Sequence, residues 1–141
     1  MTKEEIVLVG LAPAMQRLHS PVQVQKLFFL LEENISDSLD WPHFDFQPYN
    51  YGPFDKGVYD VLNELRNQGL VEVAPEKNWS AYRLTADGQK RADALLSLLP
   101  DNVRNYVIET SEFVRRLSFS QLVSAIYKAY PNMRVNSVFQ G

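Results

Sequence analysis

Residues 52–99 read GPFDKGVYDVLNELRNQGLVEVAPEKNWSAYRLTADGQKRADALLSLL, and their pattern decides the fold class. Phe54, Val58, Val61, Leu62 and Leu65 recur at helical spacing and predict a helix over Phe54–Asn67, with Gly69 as its stop. Leu70-Val71-Glu72-Val73 and Ala81-Tyr82-Arg83-Leu84 alternate as half-buried strands do. With Pro75–Ser80 between them they predict a hairpin with a longish loop. Thr85 is placed to cap a further helix running to about Leu99, where Pro100 ends it.

Working outward, Thr2 and Glu5 form a capping-box signature for a first helix. Ile6, Val7, Leu8, Leu11 and Met15 supply its apolar side, and Pro13 kinks or ends it. Ser20-Pro21 opens a second helix, with serine as cap and proline at the first helical position. Val24, Leu27, Phe28, Leu31 and Ile35 form its stripe, and Phe29 and Leu30 widen it, so this helix is expected to be buried on more than one side. Ser36-Asp37-Ser38 and Pro42 are turn chemistry. Beyond Pro100, Asp101 starts a fifth helix with Val103, Val107, Thr110, Val114 and Leu117 along one side. Ser118 and Gln121 box the start of a sixth helix over Phe119–Ala129, and Leu117 and Leu122 sit at hydrophobic-staple positions. The expected class is α+β and mostly helical: winged-helix-like helices with a small two-stranded hairpin and C-terminal helices, in one domain over 1–141.

Composition narrows the function classes. A chain of 141 residues, 45% hydrophobic, can bury a core without staples. It has no cysteine, so neither a disulfide framework nor a thiolate metal site is available. No apolar run approaches the roughly 20 residues of a membrane span, and Met1-Thr2-Lys3-Glu4-Glu5 lacks a basic leader pattern; a cytoplasmic, membrane-free protein is expected. His19 and His43 form no pair at metal-ligand spacing, although His43 and Asp45 lie two apart. There is no nucleophile elbow and no glycine-rich phosphate loop, and Glu32-Glu33 reads as a solvated helix end. No catalytic residue, metal or cofactor is expected.

Charge bears on nucleic acid. The net charge is −3 and the first fifty residues carry three basic against seven acidic side chains. Under a winged-helix reading Phe54–Asn67 would be the recognition helix, yet Lys56 and Arg66 face Asp55, Asp60 and Glu64 there, a net of −1. The wing side is better supplied, since Lys77, Arg83, Lys90 and Arg91 outnumber Glu76 and Asp87. Those four are the candidate nucleic-acid residues of the alternative reading, a DNA-binding transcriptional regulator; the plainer reading is solvated surface charge.

The most unusual stretch runs from Trp41 to Phe54 and holds Phe44, Phe46, Tyr49 and Tyr51 besides. Such rings either close the core over the second helix or serve a partner, and both roles can coexist. Pro48 and Pro53 restrict any strand here to a short edge strand. Tyr49, Tyr51, Gly52, Pro53 and Phe54 are the candidate partner-binding residues. Pro53 is expected to bias Gly52 toward extended geometry, and one tyrosine is expected to pack inward while the other is offered. The amides opening the following helix are expected to receive an acidic group from the partner.

Gln25-Lys26-Leu27-Phe28-Phe29-Leu30, then Tyr49-Asn50-Tyr51-Gly52-Pro53-Phe54, then Val58-Tyr59 through Leu65 and Gly69-Leu70, resemble the Panacea-type proteins, the phage-associated, SocA-like antitoxins and their bacterial relatives. Leu117-Ser118-Phe119-Ser120-Gln121-Leu122 through Tyr127 and Tyr130-Pro131 also look like that group, so the resemblance covers about residues 20–131. It implies a non-enzymatic, mostly helical domain that neutralises a toxin by direct contact or by delivering it to a protease. The expected partner is then a protein, with DNA as the alternative and a homodimer compatible with either.

Overall fold

A computed structural model describes residues 1–35, 41–76 and 78–139. Among them are six α-helices and two small two-stranded antiparallel sheets, an α+β arrangement that is mostly helical. The Ser36–Ser38 turn and Lys77 lie outside the described residues.

Helix α1 (Lys3–Leu11) opens with the Thr2–Glu5 capping box, both bonds made. It has no polar stripe: Ile6 through Leu11 are all buried, so it is the central helix, touching α2 to α5. Pro13 falls in a 3₁₀ turn over Ala12–Ala14. Met15 and Gln16 follow at φ 53° and 67°, a reversal that turns Met15 out to solvent rather than along the apolar side. Helix α2 (Pro21–Ile35) begins with Ser20 and Gln23 capping each other reciprocally, and buries Val24 through Phe29, Leu31 and Ile35.

Trp41, Phe44 and Phe46 fold into the core over α2, and Phe29 meets the Phe46 ring edge-on at 5.6 Å. The Phe44 amide donates to the Glu32 carboxylate, which is half-buried rather than a solvated helix end. Strands β1 (Gln47–Tyr49) and β2 (Gly52–Phe54) then form a hairpin in which Pro48 pairs with Pro53. The prolines that argued against pairing are accommodated because a non-hydrogen-bonded pair uses no amide, and its carbonyls point away from the ladder. Those carbonyls are taken from outside, Pro48 O by Asn136 Nδ2 at 3.2 Å and Pro53 O by Lys26 Nζ at 3.2 Å.

Helix α3 (Lys56–Asn67) therefore starts two residues later than expected, because Phe54 belongs to β2 and Asp55 caps the Gly57 amide. Val58, Leu62 and Leu65 are buried, whereas Phe54 and Val61 are only half-buried. Strands β3 (Val71–Pro75) and β4 (Ser80–Leu84) pair from Val71↔Leu84 to Pro75↔Ser80. Helix α4 (Ala86–Ser97) is capped by Thr85 and stops two residues short of Leu99, with Leu98 exposed. Helices α5 (Asp101–Arg116) and α6 (Phe119–Ala129) follow, the latter with the Ser118–Gln121 box. Leu27, Phe28, Leu31, Val58, Leu62 and Leu65 join one apolar cluster that also takes in residues of α1, α4, α5 and α6. No described helix is long and apolar enough to cross a membrane.

Candidate functional site

The β1–β2 turn is held from behind and open in front. Tyr127 Oη donates to Ser137 Oγ at 2.6 Å, Ser137 Oγ donates to the Asn50 carbonyl at 3.2 Å, and the Val138 amide donates to the same carbonyl at 3.0 Å. Gly52 has φ 105°, not the extended geometry expected from the following proline, because closing the hairpin at Asn50-Tyr51 needs a left-handed residue there. A Cβ at Gly52 would lie 3.4 Å from both Lys26 Cε and Tyr127 Cε1, which is ordinary contact, so the dihedral angle is what demands glycine.

In front lies a cleft of about 560 Å³. Its lining draws on four separate parts of the chain: the start of α2, the β1–β2 hairpin with Tyr59 of α3, Trp79 of the β3–β4 loop, and Phe119 at the start of α6. Tyr49 and Tyr51 are 53% and 42% exposed; neither ring packs inward, because Tyr127 and the chain near Val138 already fill the space behind the turn. Tyr49 instead leans on Phe54 at 5.1 Å and Phe54 on Tyr59 at 5.7 Å, while Tyr51 meets Phe119 edge-on at 5.2 Å. Phe119 and Trp79 are also exposed. Of the five predicted residues, Tyr49, Tyr51, Gly52 and Phe54 line the cleft, and Pro53 contributes its carbonyl to Lys26.

The amides opening α3 do not await an acid, since Asp55 Oδ1 already accepts from Gly57 at 2.9 Å and Asp55 Oδ2 accepts from the Asp45 amide at 2.8 Å. Asp55 is itself fixed by Gln25, whose amide group bonds its N–H at 2.9 Å and its carbonyl at 3.0 Å. The cation of the cleft is Lys26, 3% exposed, with the Pro53 carbonyl as its one hydrogen-bond acceptor among the described residues. Burial pushes its pKa down to about 7. Among the described residues the lining holds no carboxylate, histidine or arginine.

The chain matches no protein-family model, no curated protein and no solved structure.

Of the candidate basic residues, Arg83, Lys90 and Arg91 are not part of the cleft wall. Arg83 Nε is bound to Glu72 across the hairpin at 2.6 Å, and Lys90 and Arg91 are exposed neighbours on α4. Among the described residues no group of three acidic or histidine side chains could hold a metal ion, and His43 lies 3.9 Å from the Glu32 carboxylate instead. Sequence reasoning passed over Lys26, Gln25, Tyr59, Trp79 and Phe119 as cleft residues. For Lys26 a signal existed: a lysine at a position flanked on both sides by buried residues of a helix buried on more than one face. For Trp79 and Phe119 there was none, because only the fold carries them to the same opening.

Proposed function

We propose that this chain is a non-catalytic protein-binding module that engages a partner polypeptide through the aromatic cleft. The carrying observation is an apolar opening rimmed by exposed Tyr49, Tyr51, Trp79 and Phe119. Large rings with few rotatable bonds bury area at small entropic cost and dominate binding energy at interfaces. Among the described lining residues no carboxylate or histidine stands beside Lys26 to form an acid–base pair with it. With the resemblance to Panacea-type antitoxins, the partner is a toxin that the module neutralises or delivers for degradation.

Tyr51→Ala tests this, because the ring is exposed and its loss leaves the core intact. Co-expression with the product of an adjacent growth-inhibiting gene should show rescue by the wild type. The variant should keep its melting temperature and bind at least about tenfold more weakly, as expected for a hot spot of about 2 kcal/mol. Unchanged affinity, or a melting loss with full affinity in the folded fraction, would reduce the cleft to scaffolding.

The order α2, α3, hairpin, α4 supports a second reading, a winged helix contacting DNA through α3 and the β3–β4 wing. Charge weighs against it: the exposed face of α3 carries Lys56 and Arg66 beside Asp60 and Glu64, and Arg83 is already paired. Retardation of its own promoter fragment at low salt, weakened by Arg83→Ala, would favour the regulator over the protein-binding module.

A further inference from the structure

We infer that the cleft seats the free C-terminal carboxylate of the partner polypeptide on the Lys26 ammonium, with the partner's apolar last side chain against Tyr51, Phe54 and Phe119. This deepens the protein-binding reading and rests on it.

An ammonium has three N–H donors, and Lys26 spends one of them on Pro53 O. Its side chain belongs to the cleft wall, and no carboxylate among the described residues pairs with it. A buried cation without a counter-ion is costly, and a carboxylate brought by a ligand supplies both the opposite charge and two acceptor oxygens for the remaining donors. Burial lowers the pKa of the amine, and an arriving anion would draw it back to the charged form. The rest of the described wall is neutral and mostly apolar.

The chemistry of the wall also selects the anion. Helices α2 and α6 both begin at the cleft, at Pro21 and Phe119, so their positive ends add to the field. The Ser20–Gln23 and Ser118–Gln121 boxes take up the Gln23 and Gln121 amides, and Lys26 is the one charged donor in the described wall. One ammonium suits a monoanion; a phosphate dianion would lack the arginine fork or cluster of amides it ordinarily finds. A chain end can enter end-on past the Tyr51 and Trp79 rim. An internal acidic residue would have to bring two backbone arms through the same opening.

The test uses ¹⁵N-labelled full-length protein and an equimolar pool of acetylated tripeptides, randomised at the first two positions and ending in Phe. The pool is made once as free acids and once as C-terminal amides, with 3-phenylpropionate as a third probe. The acids should shift the Gly52, Tyr51 and Tyr59 amides and bind at least about tenfold more tightly than the amides. Lys26→Met should erase that difference without lowering the melting temperature, and Lys26→Gln should do the same if methionine disturbs the packing. Equal binding of acids and amides by the wild type, or no saturable shift with the acids, overturns the carboxylate contact and needs no variant to read. Binding of 3-phenylpropionate as tight as that of the peptide acids assigns the site to a small carboxylic acid instead of a chain end. Partner capture that survives Lys26→Met but fails in Tyr51→Ala removes the carboxylate and leaves the protein-binding function standing.

Discussion

His19 has no solvent exposure, and neither ring nitrogen finds a hydrogen-bond partner among the described residues. Burial, and then the nearby Arg115 cation, hold its pKa down to about 4. Between that value and the ordinary 6.5 the unfolded chain binds a proton that the folded chain refuses, so stability falls as pH drops through the window. Below about pH 4 the whole penalty is in place, on the order of a few kcal/mol. Lys26 behaves alike in a higher window: its folded pKa of about 7 lies below 10.5, so the native state gains stability as pH rises between the two. Urea unfolding should accordingly show wild-type stability lower at pH 4.5 than at 7 and higher at pH 9 than at 7. His19→Phe should flatten the acid limb and Lys26→Met the alkaline one; limbs unaltered by these changes would mean that other groups set them.

At the level of elements, the ends of helices are where local chemistry speaks most clearly. Helix α3 stops in a Schellman arrangement, with Gly69 at φ 76°, its amide on Arg66 O at 3.0 Å and the Leu70 amide on Leu65 O at 2.9 Å. Thr85 then joins the hairpin to α4, donating to Gly69 O at 2.7 Å and accepting from the Gly88 amide at 3.0 Å. This clamp brings α4 so close to the strand that a Cβ on Gly88 would stand 1.9 Å from the Leu70 carbonyl oxygen. Backbone cannot step aside as a side chain can. Gly88→Ala should therefore cost about 3 kcal/mol despite alanine's better helix propensity of about 1 kcal/mol, read from the urea midpoint at constant m. A neutral or stabilising result would show that the α4–β3 approach is looser than described. The caps at Thr2, Ser20, Thr85 and Ser118 were legible in the sequence because donor and acceptor lie within three residues. The β1–β2 hairpin was not, because its two prolines are tolerated only in a pairing whose outward carbonyls are met by Lys26 and by Asn136, far away in the chain.

Across the whole molecule, one apolar cluster takes side chains from all six helices, with α1, buried from Ile6 to Leu11, at its centre. Leu62 is wholly buried where α3 meets it, so Leu62→Ala should cost about 2–5 kcal/mol. Because the cluster is continuous, far-UV dichroism and tryptophan fluorescence should report the same lowered midpoint. Separate midpoints would divide the chain into independently melting parts. The sequence by itself determined what depends on near neighbours: the helices, the caps at Thr2, Ser20, Thr85 and Ser118, the Gly69 stop, the β3–β4 hairpin, and the buried stripe of Leu27, Phe28, Leu31, Val58, Leu62 and Leu65. It also singled out Tyr49 to Phe54 as the unusual stretch, since aromatic density is visible in one dimension. Only the tertiary structure decided that Trp41, Phe44 and Phe46 go into the core while Tyr49 and Tyr51 stay out, because the space behind the turn is claimed by Tyr127 and the segment after Asn136. Only the tertiary structure, too, set Lys26, Trp79 and Phe119 around one opening. A cleft is made by distant segments meeting, and no periodicity along the chain encodes which segments those will be.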